Sequence, residues 1–94
     1  MGYIEIEAFS LDGAVSRAQF TALDEAVQAW CYGNRPGLAR RSTAIDEGEG
    51  VLVVSVFGGA TAPEPVVSLD DEVAAFVAAI DPSTYRRRVF QNLR

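Results

Sequence analysis

Gly50-Val51-Leu52-Val53-Val54-Ser55-Val56-Phe57 is a continuous apolar run rich in β-branched residues, with Gly48 before it and Gly58-Gly59 after it. That pattern predicts a strand buried on both faces, because a strand with one wet face would alternate. A strand covered on both sides lies inside a sheet, so the rest of the chain must supply its neighbours.

Working outward, Asp46-Glu47-Gly48-Glu49 reads as the turn that leads into this strand from a weaker one, Leu38–Ile45. At the start of the chain, Tyr3–Ser10 alternates: Ile4, Ile6 and Ala8 on one side, Tyr3, Glu5, Glu7 and Phe9 on the other. Asp12-Gly13 is a turn signal, after which residues 15–20 fit either a returning hairpin strand or an irregular lead-in. Thr21 is placed as the N-cap of a first helix, Ala22–Tyr32, with Leu23, Ala26, Val27, Trp30 and Cys31 on its apolar face. Pro36 stops it. Residues 58–65, with two glycines and two prolines, read as a loop, and Ser68 caps a second helix, Leu69–Ile80. Thr84–Gln91 is expected to be the last strand.

The two helical segments align. Leu23-Asp24-Glu25-Ala26-Val27 lies over Leu69-Asp70-Asp71-Glu72-Val73, an offset of 69 − 23 = 46. The same offset puts Gly13-Ala14 on Gly59-Ala60, Pro36 on Pro82 and Arg40-Arg41 on Arg86-Arg87. Residues 1–94 therefore read as one domain built from two strand–helix–strand copies, about 1–46 and 47–94. With right-handed crossovers each copy leaves a gap that the other fills. The expected fold is α+β and ferredoxin-like: a four-stranded antiparallel sheet in the order 4-1-3-2, with both helices on one face.

Ile4, Ile6, Ala8, Leu52, Val54 and Val56 are expected to face the helices. The other face would then carry Tyr3, Glu5, Glu7, Phe9, Val51, Val53 and Phe57, too apolar to be left in water. Two explanations are available: a protein interface, most simply a homodimer, or a cover made by the segments at 11–20 and 58–67. The interface is preferred. Arg40, Arg41, Arg86, Arg87 and Arg88 are candidate ligand or anion contacts, but the expected order puts them on opposite edges of the sheet, where charge also discourages edge pairing. Asn34-Arg35-Pro36-Gly37-Leu38-Ala39 is locally similar to a segment of amino-acid-binding ACT domains. There the segment opens the first helix and here it follows one, so the likeness is confined to six residues.

Composition narrows the function classes. A net charge of −5 argues against nucleic-acid binding through a global positive field. With no His in the chain, the commonest general base and metal ligand are missing, and no catalytic residue, metal set or cofactor motif stands out. No apolar run reaches the length of a membrane span, and the single Cys31 suits a reducing compartment, so a cytoplasmic protein is expected. The function expected from sequence is a small acidic, non-catalytic interaction module, such as an inhibitor, an immunity-type protein or an accessory subunit, that dimerises or docks through its open sheet face. The alternative is a cofactor-free enzyme or ligand binder of the dimeric α+β barrel type, with Tyr3, Tyr32, Tyr85, Asn34 and Arg87 as candidate polar groups. A pocket of a few hundred Å3 with convergent polar groups separates the second from the first.

Overall fold

A computed structural model describes residues 2–93. In chain order it contains β1 (Gly2–Ser10), α1 (Arg17–Asn34), β2 (Leu38–Ile45), β3 (Gly50–Gly58), α2 (Asp71–Ala78), a 3-10 turn (Pro82–Thr84) and β4 (Arg86–Asn92). The strands form one sheet in the order β2-β3-β1-β4, antiparallel at each pairing. This is the expected α+β ferredoxin-like fold, and β3 and β1 occupy its centre. Gly37 makes the entry to β2 possible: its φ is 79°, and a Cβ there would stand 2.6 Å from the carbonyl oxygen of Gly58.

The helices differ from expectation at their starts. α1 begins at Arg17, ahead of the expected Ala22, because Ser16 and Gln19 form a reciprocal capping box that Thr21 does not. Residues 17–20 are therefore helix, not hairpin strand or lead-in, and Phe20 is a buried core residue. α2 begins at Asp71, after the expected Leu69, because the Ser68 hydroxyl accepts from the Asp70 N–H and holds that corner as a turn. β4 starts at Arg86 because the 3-10 turn takes up residues 82–84, capped by the Asp81 carboxylate.

The expected assignment of sheet faces is reversed. Tyr3, Glu5, Glu7, Phe9, Val51, Val53 and Phe57 lie on the face covered by the helices, with Glu5 and Val53 each 1 % exposed. The open face instead carries Ile4, Ile6, Ala8, Val54 and Val56 with Leu52, 42 % exposed, and Phe90, 39 % exposed. Alternation tells which residues share a face but not which face is covered. The core follows from the reversal. Phe9 stands at its centre, edge-on to Phe20 (6.1 Å between ring centroids) and to Phe76 (5.9 Å) and stacked on Tyr85 (6.3 Å). Val27, Cys31, Val73 and Ala79 close it from the helix side.

Candidate active site

The reversal puts two carboxylates of β1 inside the protein, and their surroundings differ. Glu5 is fully matched. Arg35, which follows the C-terminus of α1, donates from both terminal nitrogens to its two oxygens at 2.7 and 2.9 Å. Arg87 of β4 donates from Nε at 2.8 Å. Burial alone would push the Glu5 carboxyl up, but the hydrogen bonds and charges of Arg35 and Arg87 outweigh it and hold the group below its ordinary range. The same pairing raises Arg35, against the burial that opposes its charge. The Arg35 guanidinium also lies 4.8 Å from the centroid of the Phe57 ring.

Glu7, two residues along the same face, has no arginine bonded to it among the described residues. Its partner is the Tyr85 hydroxyl, which donates to Oε2 at 2.5 Å. Burial raises the Glu7 carboxyl, with the nearby Glu5 charge adding to it, while the Tyr85 bond and the charges of Arg35 and Arg41 pull the other way. The Tyr85 hydroxyl is raised as well, by burial and then by the Glu7 carboxylate it bonds. A tyrosine in this setting remains a neutral donor, and Glu7 is a carboxylate whose affinity for a proton exceeds that of an ordinary one.

Glu7 and Tyr85 stand in the wall of a cavity of about 500 Å3 between the helices and the sheet. Arg35, Arg41 and Arg87 complete its polar side. Val27, Cys31, Val73, Phe76, Val77 and Ile80 line the rest, and Pro65 and Val66 of the segment between β3 and α2 close it. Arg41 is held in place by Asp24 (2.8 Å), Gln28 (3.1 Å) and Thr43 (3.2 Å), and its guanidinium lies 5.6 Å from the Phe76 ring centroid. Its backbone N–H donates to the Tyr32 hydroxyl at 2.8 Å. The Cys31 thiol is raised by burial, which leaves it protonated and unreactive. Among the described residues, no group of three or more His, Cys, Asp or Glu is placed to hold a metal ion. The arrangement can take a proton at Glu7, donate a hydrogen bond from Tyr85 and stabilise negative charge with three guanidinium groups, all beside an apolar compartment.

The candidate arginines divide. Arg41 and Arg87, equivalent under the offset of 46, both turn into the covered face. Arg40, Arg86 and Arg88 belong to the open face; Arg86 donates to the Tyr85 carbonyl and Arg88 lies over the Phe90 ring at 4.7 Å. Of the polar groups named for the alternative reading, Tyr85 and Arg87 reach the large cavity. Tyr32 supports Arg41, Asn34 donates to the Trp30 carbonyl, and Tyr3 makes a long bond to the Ala60 carbonyl (3.4 Å). The sequence pattern puts Glu7 on the open face and Arg35 merely in the segment after the first helix. No local signal marks either as a site residue: each depends on residues tens of positions away.

No family model matches the chain, and no curated protein matches it. Solved structures do match. SnoaB, a cofactor-independent oxygenase from Streptomyces nogalater, superposes with a TM-score of 0.64 at 14 % identity, over 99 % of this chain and 94 % of that one. A putative antibiotic biosynthesis monooxygenase from Chloroflexus aurantiacus J-10-fl gives 0.64 and 14 %, over 100 % and 95 %. At this identity the likeness is one of fold. It is nonetheless a likeness to enzymes, and it joins two observations that overturn the expected non-catalytic docking module. The residues assigned to the docking face are buried under the helices, and the compartment beneath those helices is a mostly apolar pocket with convergent polar groups, the feature that separates the alternative from the module. No helix among the described residues is long and apolar enough to cross a membrane.

Proposed function

We propose that this protein is a small-molecule enzyme that oxygenates an apolar, ionisable substrate without a cofactor, with Glu7 as the base. The observation that carries the reading is the Glu7–Tyr85 pair at 2.5 Å in the wall of the 500 Å3 cavity. The cofactor-independent oxygenase among the solved structures of this fold supports the reaction class.

The chemistry follows from what such a reaction needs. Without a cofactor, the electrons that reduce O2 come from the substrate, and a substrate gives them up most readily as a carbanion or enolate. Glu7 takes the proton from an acidic C–H or O–H. Its raised affinity for protons matches that task, and a positioned base of this kind contributes about 10²–10⁴ in rate. Arg35, Arg41 and Arg87 stabilise the anion, and Tyr85 donates to Glu7 or to the substrate oxygen. The apolar walls exclude water from the reactive species. For a methylene substrate, the methylene group and one molecule of O2 give a carbonyl group and one molecule of water. Both C–H bonds break, one oxygen atom stays on the oxidised carbon, and the other leaves as water with the two hydrogens.

The working unit in this reading is a homodimer. Its interface is the open sheet face, where Ile4, Ile6, Leu52, Val54, Val56 and Phe90 form the kind of bare apolar surface that a second sheet covers. A cytoplasmic setting fits the lone, buried thiol of Cys31.

The test is O2 uptake with a panel of apolar phenols and 1,3-diketones. Protein-dependent uptake is expected, reduced about 100-fold or more in Glu7→Gln. Full activity in Glu7→Gln refutes the assignment of the base. Thermal stabilisation by panel members with no O2 consumed refutes oxygenation and leaves a ligand-binding protein.

A further inference from the structure

Residues 59–70 run from β3 to α2 as a strap without helix or strand. Pro65 and Val66 form part of the wall of the 500 Å3 cavity, and residues 61–67 line a second one of about 330 Å3 against Trp30, Asn34 and Phe57. Arg35, Pro65 and Val66 belong to both, so the strap is the partition between them.

The way the strap is held sets it apart from the rest of the fold. Among the described residues, no backbone–backbone hydrogen bond ties residues 59–69 to the sheet or to α1. Its tethers are side chains. Arg87 Nη2 donates to the Pro63 carbonyl at 2.8 Å and Arg35 Nη2 to the Glu64 carbonyl at 3.0 Å. Tyr3 reaches Ala60 at 3.4 Å, and Trp30 Nε1 donates to Asp70 Oδ2 at 2.7 Å. The two central tethers come from the guanidinium groups that Glu5 fixes. Val67 and Leu69, 93 % and 98 % exposed, pack against little.

We propose that residues 59–70 are a gate, latched by the Glu5–Arg35–Arg87 triad through the carbonyls of Pro63 and Glu64, and that ligand reaches Glu7 when those two contacts release. Opening leaves the buried ion pairs intact: Arg87 uses Nε for Glu5 and Nη2 for Pro63, and Arg35, whose Nη2 serves both Glu5 and Glu64, keeps its Nη1 and Nη2 bonds to Glu5 when the Glu64 carbonyl moves away. Pro63 and Pro65 stiffen the moving piece, and Gly59, at φ 108°, is a hinge that other residues would not readily form. Glu5 is a positioning residue here: it acts through the two arginines.

This inference rests on the reading of the large cavity as a ligand site, and the experiment separates the two. Trp30 is the single tryptophan and lies under the strap, so its fluorescence reports opening directly. Arg87→Lys keeps a positive charge for Glu5 but lacks the fork that reaches Pro63. Acrylamide quenching of Trp30 is expected to rise about twofold in this variant, and release of the apolar anionic dye 8-anilinonaphthalene-1-sulfonate to quicken about fivefold by stopped flow. Dye held in the cavity is identified by its loss in Val73→Phe. Arg35→Lys provides an independent variant should the first fold poorly. Unchanged quenching overturns the latch. Raised quenching with unchanged dye release overturns the gate. Raised quenching with no dye bound by either protein supports the latch and overturns the cavity as a ligand site.

Discussion

Replacing Glu5 by Gln removes a negative charge while keeping the shape of the side chain, and leaves two guanidinium groups facing each other without a counterion. The Arg35 and Arg87 side chains are 8 % and 20 % exposed, so neither can turn fully into water. Breaking a buried ion pair by removing one partner costs about 3–5 kcal/mol. The partial exposure of Arg87 and the acceptor oxygen that Gln retains argue for the lower end, about 3 kcal/mol. A domain of this size has total stability of about 5–14 kcal/mol, so the loss is a large fraction of it. It corresponds to a fall in Tm of about 12–24 °C. Urea unfolding followed by circular dichroism measures it directly, with the m-value as a check that only stability has changed. A double-mutant cycle with Arg87→Gln should show strong coupling, since both changes disable the same bond. A loss below about 1 kcal/mol, or additivity within about 0.5 kcal/mol, would refute the account of Glu5 as the buried hub of the site.

Glu7 should act on stability in the opposite sense to Glu5 as pH changes. Its carboxyl is raised above its ordinary value near 4.5, so the folded state holds the proton more tightly, and stability declines as pH rises from that value through the raised one. Glu5 is lowered, so its contribution is present above 4.5 and is lost as pH falls through its depressed value. Urea midpoints across acid to neutral pH should show both limbs, and Glu7→Gln should abolish the upper one alone. Ser16→Ala removes the capping box of α1 and should cost about 1 kcal/mol, a value near zero arguing that the helix start frays in solution. Phe9→Ala empties the centre of the aromatic cluster and should cost about 3–5 kcal/mol by the same measurement, with a loss under about 2 kcal/mol meaning that Phe20 and Phe76 collapse into the space.

The sheet order is legible in the sequence because the offset of 46 residues relates a loop, a helix, a post-helix proline and a strand at once, and composition bounds β2 at Leu38–Ile45. The face assignment fails at β1. Tyr3-Ile4-Glu5-Ile6-Glu7-Ala8-Phe9 offers an aliphatic side and a side with two carboxylates, and transfer energies favour burying the first. The chain buries the second, because arginines 30 and 82 residues away neutralise Glu5 and Tyr85 satisfies Glu7. A local pattern cannot register such partners. The α1 start differs in kind: Ser16 and Gln19 stand at capping-box spacing, so the sequence holds that signal alongside the competing N-cap at Thr21. The candidate site is legible only in fragments, Arg41, Tyr85 and Arg87 among its polar groups, since it exists where β1 and β4 meet.

That meeting has a consequence for how the protein is made. β1 pairs with β4 from Gly2 opposite Asn92 to Ala8 opposite Arg86, so β1 leaves the ribosome well before the partner it waits for. Until β4 emerges, Glu5 lacks Arg87, Glu7 lacks Tyr85, and β1 presents an unfilled edge to other nascent chains. The pocket therefore assembles only once β4 has emerged, and a ribosome that stalls before residue 85 releases a chain that holds Glu5 and Glu7 without the Arg87 and Tyr85 that match them.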